Sequence, residues 1–143
     1  MRIAFLLACL AGPATAWEFS DVPVCTLTHA NEDGALKLTY DASLPEYTIT
    51  LTLAEGTWPT DAPAFAMAFA GARNIGIQTD QHVLSPDGRS LTVTDTGFGN
   101  VLDGLEFNLR AYASAGETTA GFNLTDIGPA IRAFRACPDA NLA

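Results

Sequence analysis

The sequence predicts an all-β fold, either an antiparallel β-sandwich or a meandering barrel, of about eight strands followed by one short C-terminal helix. Three observations support this class. Apolar and polar residues alternate along most of the chain, most clearly in YTITLTL (47–53), as expected of strands with one buried and one solvent-exposed face. Clusters of turn-forming residues separate the alternating segments. Helical spacing of apolar residues occurs only near the C-terminus.

The first strands are predicted between residues 23 and 70. PVCTLTH (23–29) and ALKLTYD (35–41) flank the turn cluster ANEDG and predict a hairpin. The short segment LPE then makes 47–53 the next antiparallel neighbour. AFAMAFA (64–70) is predicted to be a strand, because a flanking proline and glycine leave room for only one or two helical turns.

The segment NIGIQTDQHVLSPDGRSLTVTDT (74–96) carries the strongest hairpin signal, and two registers are possible. A two-residue turn at 87–88 places Val83 opposite Thr92. A three-residue loop that begins one residue earlier places Val83 opposite Leu91. We predict the second register, because it keeps the apolar side chains on one face.

The remaining elements are a loop, a hairpin and a helix. GFGNVLDG (97–104) is predicted to be a loop, and LEFNLRAYA (105–113) and TTAGFNL (118–124) to form the last hairpin. TDIGPAIRAFRAC then begins with polar capping residues and has apolar residues at helical spacing. We expect Pro138 to end this helix.

The N-terminal residues MRIAFLLACLAGPATA are typical of a secretory signal peptide. Arg2 precedes an apolar run, and Ala14-Thr15-Ala16 fits a cleavage site. We therefore expect residues 1–16 to be removed and 17–143 to form a single β-rich domain that is periplasmic or secreted. The alternative is a lipoprotein signal, because LLAC (6–9) is similar to a bacterial lipid-attachment box.

The charge of the chain argues against two classes of partner. Removal of the signal takes away one arginine and no acidic residue, so the net charge of −9 becomes −10. A strongly acidic chain without a lysine and arginine cluster binds phosphate backbones poorly, so we expect no nucleic-acid partner. The apolar run is also shorter than the roughly 20 residues that span a bilayer, so stable membrane insertion is not expected.

Two of the three cysteines remain after cleavage, Cys25 and Cys137. Since exported proteins fold in an oxidising compartment, we predict a Cys25–Cys137 disulfide. A free thiol or an intermolecular disulfide is the alternative. A reactive thiol would need a nearby histidine, and neither His29 nor His82 is close in sequence.

No complete catalytic or metal-binding motif is present. His29, beside the ANEDG turn, is predicted to be a solvated strand-end residue. Asp80 and His82 are predicted to share the solvent face of one strand, opposite Thr94 and Thr92. They are weak candidates for a Zn²⁺ or Cu²⁺ site, but such a site needs three or four ligands, so no metal and no cofactor is expected. The candidate surface site comprises Asp80, His82, Thr92, Thr94, Phe98, Asn100 and Trp58.

The closing segment FNLTDIGPAIRAFRAC (122–137) is a predicted strand followed by a short amphipathic helix that ends in cysteine. It resembles the C-terminus of the invasion-associated locus B family, which are small exported proteins of α-proteobacteria. The resemblance implies an exported, all-β and non-catalytic domain, and it implies no catalytic residues.

These observations predict an exported, disulfide-bonded β-domain that acts as a non-catalytic binding or accessory module for a protein or a small ligand. The alternative is a metal-binding protein or a small metal-dependent hydrolase that uses Asp80 and His82. The binding module is favoured over an enzyme, because the sequence offers no recognisable combination of nucleophile, base and acid.

Overall fold

A computed structural model of the chain describes residues 16–141, with side chains described as far as Cys137. Residues 1–15, which contain nearly all of the predicted signal peptide, and residues 142–143 lie outside the described part. The elements within it, in chain order, are β1 (Glu18–Ser20), β2 (Cys25–Ala30), β3 (Gly34–Asp41), β4 (Glu46–Leu53), β5 (Phe65–Gly71), β6 (Ile75–Thr79), β7 (Val83–Leu84), β8 (Ser90–Asp95), α1 (Gly99–Glu106), β9 (Asn108–Ala115), β10 (Thr118–Asn123) and α2 (Gly128–Asn141).

The strands form two antiparallel sheets. One has six strands in the order β1-β2-β3-β4-β8-β7, and the other has four in the order β10-β9-β5-β6. The inner faces of both sheets and the two helices contribute side chains to one hydrophobic core. The all-β prediction is therefore confirmed in its sandwich form, and the sheets do not close into a barrel.

The hairpins predicted from local alternation are present. β2 pairs with β3 and β3 pairs with β4, which places Leu27, Leu38 and Ile49 side by side on the inner face. β9 and β10 form the last hairpin. In each case a short connection joins strands that are neighbours in sequence, so alternation and turn chemistry are sufficient to predict the pairing.

The predicted hairpin over residues 74–96 is wrong in both sheet and register. β6 pairs with β5 in the four-stranded sheet, whereas β7 pairs with β8 in the six-stranded sheet. In that second pairing Val83 lies opposite Thr92, which is the register that we rejected. Leu84 takes the inner position and Val83 is 66% exposed. The apolar residues of this segment therefore serve two different sheets.

The predicted loop at 97–104 is mostly helical, since α1 occupies Gly99–Glu106. Its buried side chains include Val101, Leu102 and Leu105. Gly104 packs directly on the ring of Phe69, and a Cβ at this position would clash with the ring carbons. Close packing, and not loop flexibility, accounts for this glycine.

The C-terminal helix is present but is displaced toward the C-terminus. α2 begins at Gly128 and continues through Pro138 to Asn141, so the expectation that this proline ends the helix is wrong. A proline removes one amide donor, but its fixed φ near −65° is itself helical. Among the described residues, neither helix is long and apolar enough to cross a bilayer.

The two helices lie at one end of the sandwich. α2 packs against β1, β2 and α1, and the Phe134 ring of α2 lies 6.3 Å from the Tyr47 ring of β4. The predicted disulfide between Cys25 and Cys137 is confirmed, with a Cα–Cα distance of 6.1 Å. It fastens the last helix to the start of β2.

Candidate functional site

The two sheets leave a cleft between β6 and β8, with a volume of about 670 Å³. Residues of β4, β5, β6 and β8, the 80–82 link and the start of α1 line it. Its floor is apolar, because it is formed by side chains that point between the sheets. These floor residues include Ile49, Phe65, Met67, Ile77, Val93 and Phe98.

The opposite side of the sandwich is closed by polar side chains. Asp33 Oδ2 accepts a hydrogen bond from the Gly121 N–H at 2.8 Å, and Asn31 Nδ2 donates to the Gly121 carbonyl at 2.7 Å. Trp17 Nε1 donates to the Asn123 carbonyl at 2.9 Å. These bonds cover the outer backbone groups of β10, which is an edge strand. The sandwich is therefore closed along β10 and open along β6.

The opening exists because β7 is only two residues long. If β7 extended toward its N-terminus in the same register, the next hydrogen-bonded pair with β8 would join Gln81 and Thr94. Instead the Gln81 N–H donates to Thr79 Oγ1 at 3.0 Å, as the chain crosses from one sheet to the other. The last three residues of β8, 93–95, consequently have no neighbouring strand on the cleft side within the described part of the chain.

Asp80 and His82 were predicted to share one face of a strand, but neither residue lies in a strand. Both lie in the link between β6 and β7, where Asp80 Oδ1 accepts a hydrogen bond from Gln81 Nε2 at 2.8 Å. The predicted arrangement opposite Thr92 and Thr94 is therefore wrong, because the chain leaves the sheet at this point. Among the described side chains of residues 16–137, no three His, Cys, Asp or Glu residues form a group that could hold a metal ion.

The predicted threonines lie on the outer face of the six-stranded sheet. The Oγ1 atoms of Thr94 and Thr48 are 3.3 Å apart, and those of Thr92 and Thr50 are also 3.3 Å apart. These cross-strand pairs satisfy the hydroxyl groups on a solvated β surface. Thr94 nevertheless lines the cleft, on the other side of the same strand.

Three predicted site residues meet at the cleft, and Trp58 does not. Thr94, Phe98 and Asn100 all line it. The Phe98 ring also stacks on Tyr47, with ring centroids 5.4 Å apart. Trp58 is only 1% exposed, and its Nε1 donates to the Leu51 carbonyl at 3.0 Å. Its role in this fold is packing.

The prediction missed Ile77 and Val93, which line the cleft and are partly exposed. Because apolar and polar residues alternate in 74–96, both were predicted to lie in the core, on one face of a single hairpin. They are instead at the margins of two different sheets, where each has fewer neighbours than a central core residue. Only the pairing of β6 with β5 reveals this position.

A second, smaller and more polar pocket of about 300 Å³ lies beside His29 and Trp17. The two rings stack with centroids 4.4 Å apart and an interplanar angle of 12°. His29 is 6% exposed, so its prediction as a solvated residue is wrong. Burial lowers the pKa of His29, while a hydrogen bond to the Ala16 backbone acts in the opposite direction.

We expect the stability of the protein to fall below about pH 6.5, in part because of His29. Since burial lowers the pKa of the folded histidine below the unfolded value of about 6.5, the unfolded chain takes up the proton first as the pH falls. This contribution is complete above the unfolded pKa and is lost progressively as the pH falls toward the folded pKa. Urea denaturation at pH 7.5 and 5.5 measures the effect.

The matched variants are His29→Phe and His82→Gln. The first is expected to weaken the loss of stability between the two pH values, because it removes the buried titrating group. The second leaves His29 in place and should retain the loss. An unchanged pH dependence in His29→Phe would contradict the assignment.

Compared with known proteins, the chain matches no family model, no curated protein sequence and no solved structure. The resemblance of residues 122–137 to the invasion-associated locus B family stays a prediction.

Proposed function

We propose that this protein is an exported binding module that holds a small apolar ligand in the cleft between β6 and β8. The observation that carries the proposal is the exposure of core side chains at one open side of an otherwise closed sandwich. A volume of about 670 Å³ falls within the range of roughly 300–1,000 Å³ that small-molecule sites occupy.

The cleft offers apolar surface that a ligand would cover. Ile77 and Val93 line the cleft and pack on the core but remain partly exposed. Burial of such surface is favourable by about 25 cal/mol per Å². Beneath them, Phe65 and Met67 are almost fully buried, so a ligand would contact mainly the exposed parts of Ile77 and Val93.

The dimensions of the cleft favour a small molecule over a long peptide. Its two walls are residues 77–79 of β6 and 93–95 of β8. Three strand residues at roughly 3.3 Å each give a length of about 10 Å. Gln81 and the first turn of α1 also contribute to the lining beyond these walls. An extended peptide of more than about three residues would have to run past them.

The charged groups around the cleft support binding over catalysis. Asp95 is the one charged side chain among the described residues that line it. General acid–base or nucleophilic hydrolysis uses at least two cooperating groups within hydrogen-bonding distance.

Export is supported by the Cys25–Cys137 disulfide, which requires an oxidising compartment, together with the signal-like N-terminus. Periplasmic or secreted localisation and a relation to the invasion-associated locus B family are parts of this proposal.

Ile77→Trp is expected to weaken binding of the fluorescent apolar probe N-phenyl-1-naphthylamine at least tenfold, because the indole would occupy the space between the walls. Val83→Trp is the matched control, since Val83 is exposed and does not line the cleft. It should bind the probe with wild-type affinity. Fluorescence titration measures both, and thermal unfolding confirms that each variant is folded. Equal affinity in Ile77→Trp and the wild type would contradict the proposed site.

A further inference from the structure

The backbone groups of β8 can be assigned to its two sides. In an antiparallel strand, successive residues direct their N–H and C=O groups to opposite neighbours. The Arg89 carbonyl accepts a hydrogen bond from the Leu53 N–H at 2.9 Å, at the end of β4. The Ser90 carbonyl accepts from the Ser85 N–H at 2.9 Å, at the end of β7. The odd-numbered residues of β8 therefore bond to β4, and the even-numbered residues face β7.

This alternation leaves Thr94 without a backbone partner. Its N–H and C=O face the β7 side, but β7 ends at Val83, opposite Thr92. The Gln81 N–H is already donated to Thr79 Oγ1. Within residues 16–141, the Thr94 backbone groups make no hydrogen bond on this side. Because the Thr94 side chain lies on the outer face beside Thr48, Thr94 lines the cleft with its backbone.

The same reasoning applies to the facing wall. The Leu109 carbonyl accepts a hydrogen bond from the Leu124 N–H at 2.9 Å, so the odd-numbered residues of β9 bond to β10 and the even-numbered ones to β5. The same alternation continues through the pairing of β9 with β5 and of β5 with β6. The odd-numbered residues of β6 therefore bond to β5, and the N–H and C=O of Gln78 face the open edge of the sheet. Sheets in a sandwich are about 10 Å apart, so Gln78 and Thr94 lie on opposite lips of the cleft mouth.

We infer that the ligand is an aliphatic molecule with a neutral amide head, held at the mouth by the free backbone N–H and C=O groups of one lip, those of Thr94 or those of Gln78. This inference rests on the proposed function. Each lip offers one donor and one acceptor, and an amide supplies the complementary acceptor and donor. A carboxylate has no donor and an ammonium group has no acceptor. Asp95 at the rim adds repulsion against a carboxylate head.

The test compares compounds that have the same eight-carbon aliphatic chain and different head groups. They are measured on the oxidised protein. Octanamide, N,N-dimethyloctanamide, octanoate and octylamine are titrated against bound N-phenyl-1-naphthylamine. Octanamide is expected to bind about tenfold more tightly than the other three, a difference of about 1.4 kcal/mol. Equal affinities, or octylamine as the tightest probe, would overturn the amide head and leave the apolar site intact. If neither the fluorescent probe nor any octyl compound binds, the proposed function itself is overturned.

A peptide source of the amide is distinguished in the same experiment. N-acetyl-leucyl-leucinamide carries several amides on an apolar body. Octanamide is expected to displace the fluorescent probe at the lower concentration, because the walls are only about three residues long. Tighter binding of the dipeptide would overturn the assignment to an aliphatic amide.

Backbone substitution tests the atoms directly. Thr94→Pro and Gln78→Pro remove an N–H that makes no ladder hydrogen bond, so both are compatible with an edge strand. Each is expected to weaken the binding of octanamide, because the lost N–H donates to the amide carbonyl, and the double variant to weaken it further, while N-phenyl-1-naphthylamine, which has no carbonyl, keeps its affinity. The Thr94→Val/Gln78→Val double variant keeps both N–H groups and should keep the octanamide affinity of the wild type. An octanamide affinity that is unchanged in a folded proline double variant would overturn the inference. If that variant does not fold, the comparison of the two amides on the wild-type protein decides.

Discussion

Replacement of both Cys25 and Cys137 by alanine is expected to lower the free energy of unfolding by about 4–5 kcal/mol. The disulfide joins residues 112 positions apart, and closure of a loop of about 100 residues is estimated to contribute about 4.7 kcal/mol by restricting the unfolded chain. It also holds α2 against the six-stranded sheet. Removal of the bond therefore acts on almost the whole described fold.

Urea denaturation of the oxidised wild type and of the double alanine variant measures this loss. Reduction of the wild type should produce a similar loss, whereas a reducing agent should not affect the variant. A loss below about 1 kcal/mol, far under the chain-entropy value, would contradict a stabilising disulfide. So would the titration of two free thiols in the native protein under non-reducing conditions.

Trp58→Ala is expected to lower the free energy of unfolding by about 3–5 kcal/mol, the usual cost of deleting a large buried aromatic side chain. The indole donates to the Leu51 carbonyl of β4 and meets the Phe65 ring of β5 edge-on, at 6.5 Å. Trp58 thus contacts one strand of each sheet. Its loss would leave a cavity between them.

Trp58→Phe separates the hydrogen bond from the packing. It retains an aromatic ring but removes one of two donors to the Leu51 carbonyl, which keeps its ladder partner Leu91, so we expect a loss of about 0.5–1.5 kcal/mol from the hydrogen bond. Both variants are measured by urea denaturation, with probe binding determined at a temperature where they are folded. If Trp58→Ala lost ligand binding without losing stability, Trp58 would belong to a binding surface and not to the core.

The two sides of the sandwich differ in whether side chains bond to the backbone groups of their edge strands. Along β10, the side chains of Asp33, Asn31 and Trp17 bond to backbone groups that would otherwise be free. Along β6 and the end of β8, the corresponding groups of Gln78 and Thr94 have no such cover among the described residues. Since unpaired strand edges readily bind other molecules, this asymmetry supports the proposal that a ligand binds at the cleft.

Part of the candidate site was predictable, because it depends on local sequence. Phe98 and Asn100 were identified from the glycine-flanked segment GFGNVLDG, and both line the cleft. Thr94 was identified for its exposed hydroxyl, but its contribution to the cleft is its backbone. Ile77 and Val93 could not be identified, since their apolar character is the same in a closed core and at an open margin.

The sequence by itself determined the strands whose pairing is local and the two cysteines that form the disulfide. Alternation in 47–53 shows which residues share a face, and a short turn such as ANEDG shows which strand comes next. The tertiary structure decided the crossing of the chain at 80–82, the register of β7 and the helix at Gly99–Glu106. The physical reason is that alternation has the same period in both sheets. Which sheet a strand joins depends on contacts with residues distant in sequence, such as Met67 opposite Ile77 and Gly104 against Phe69.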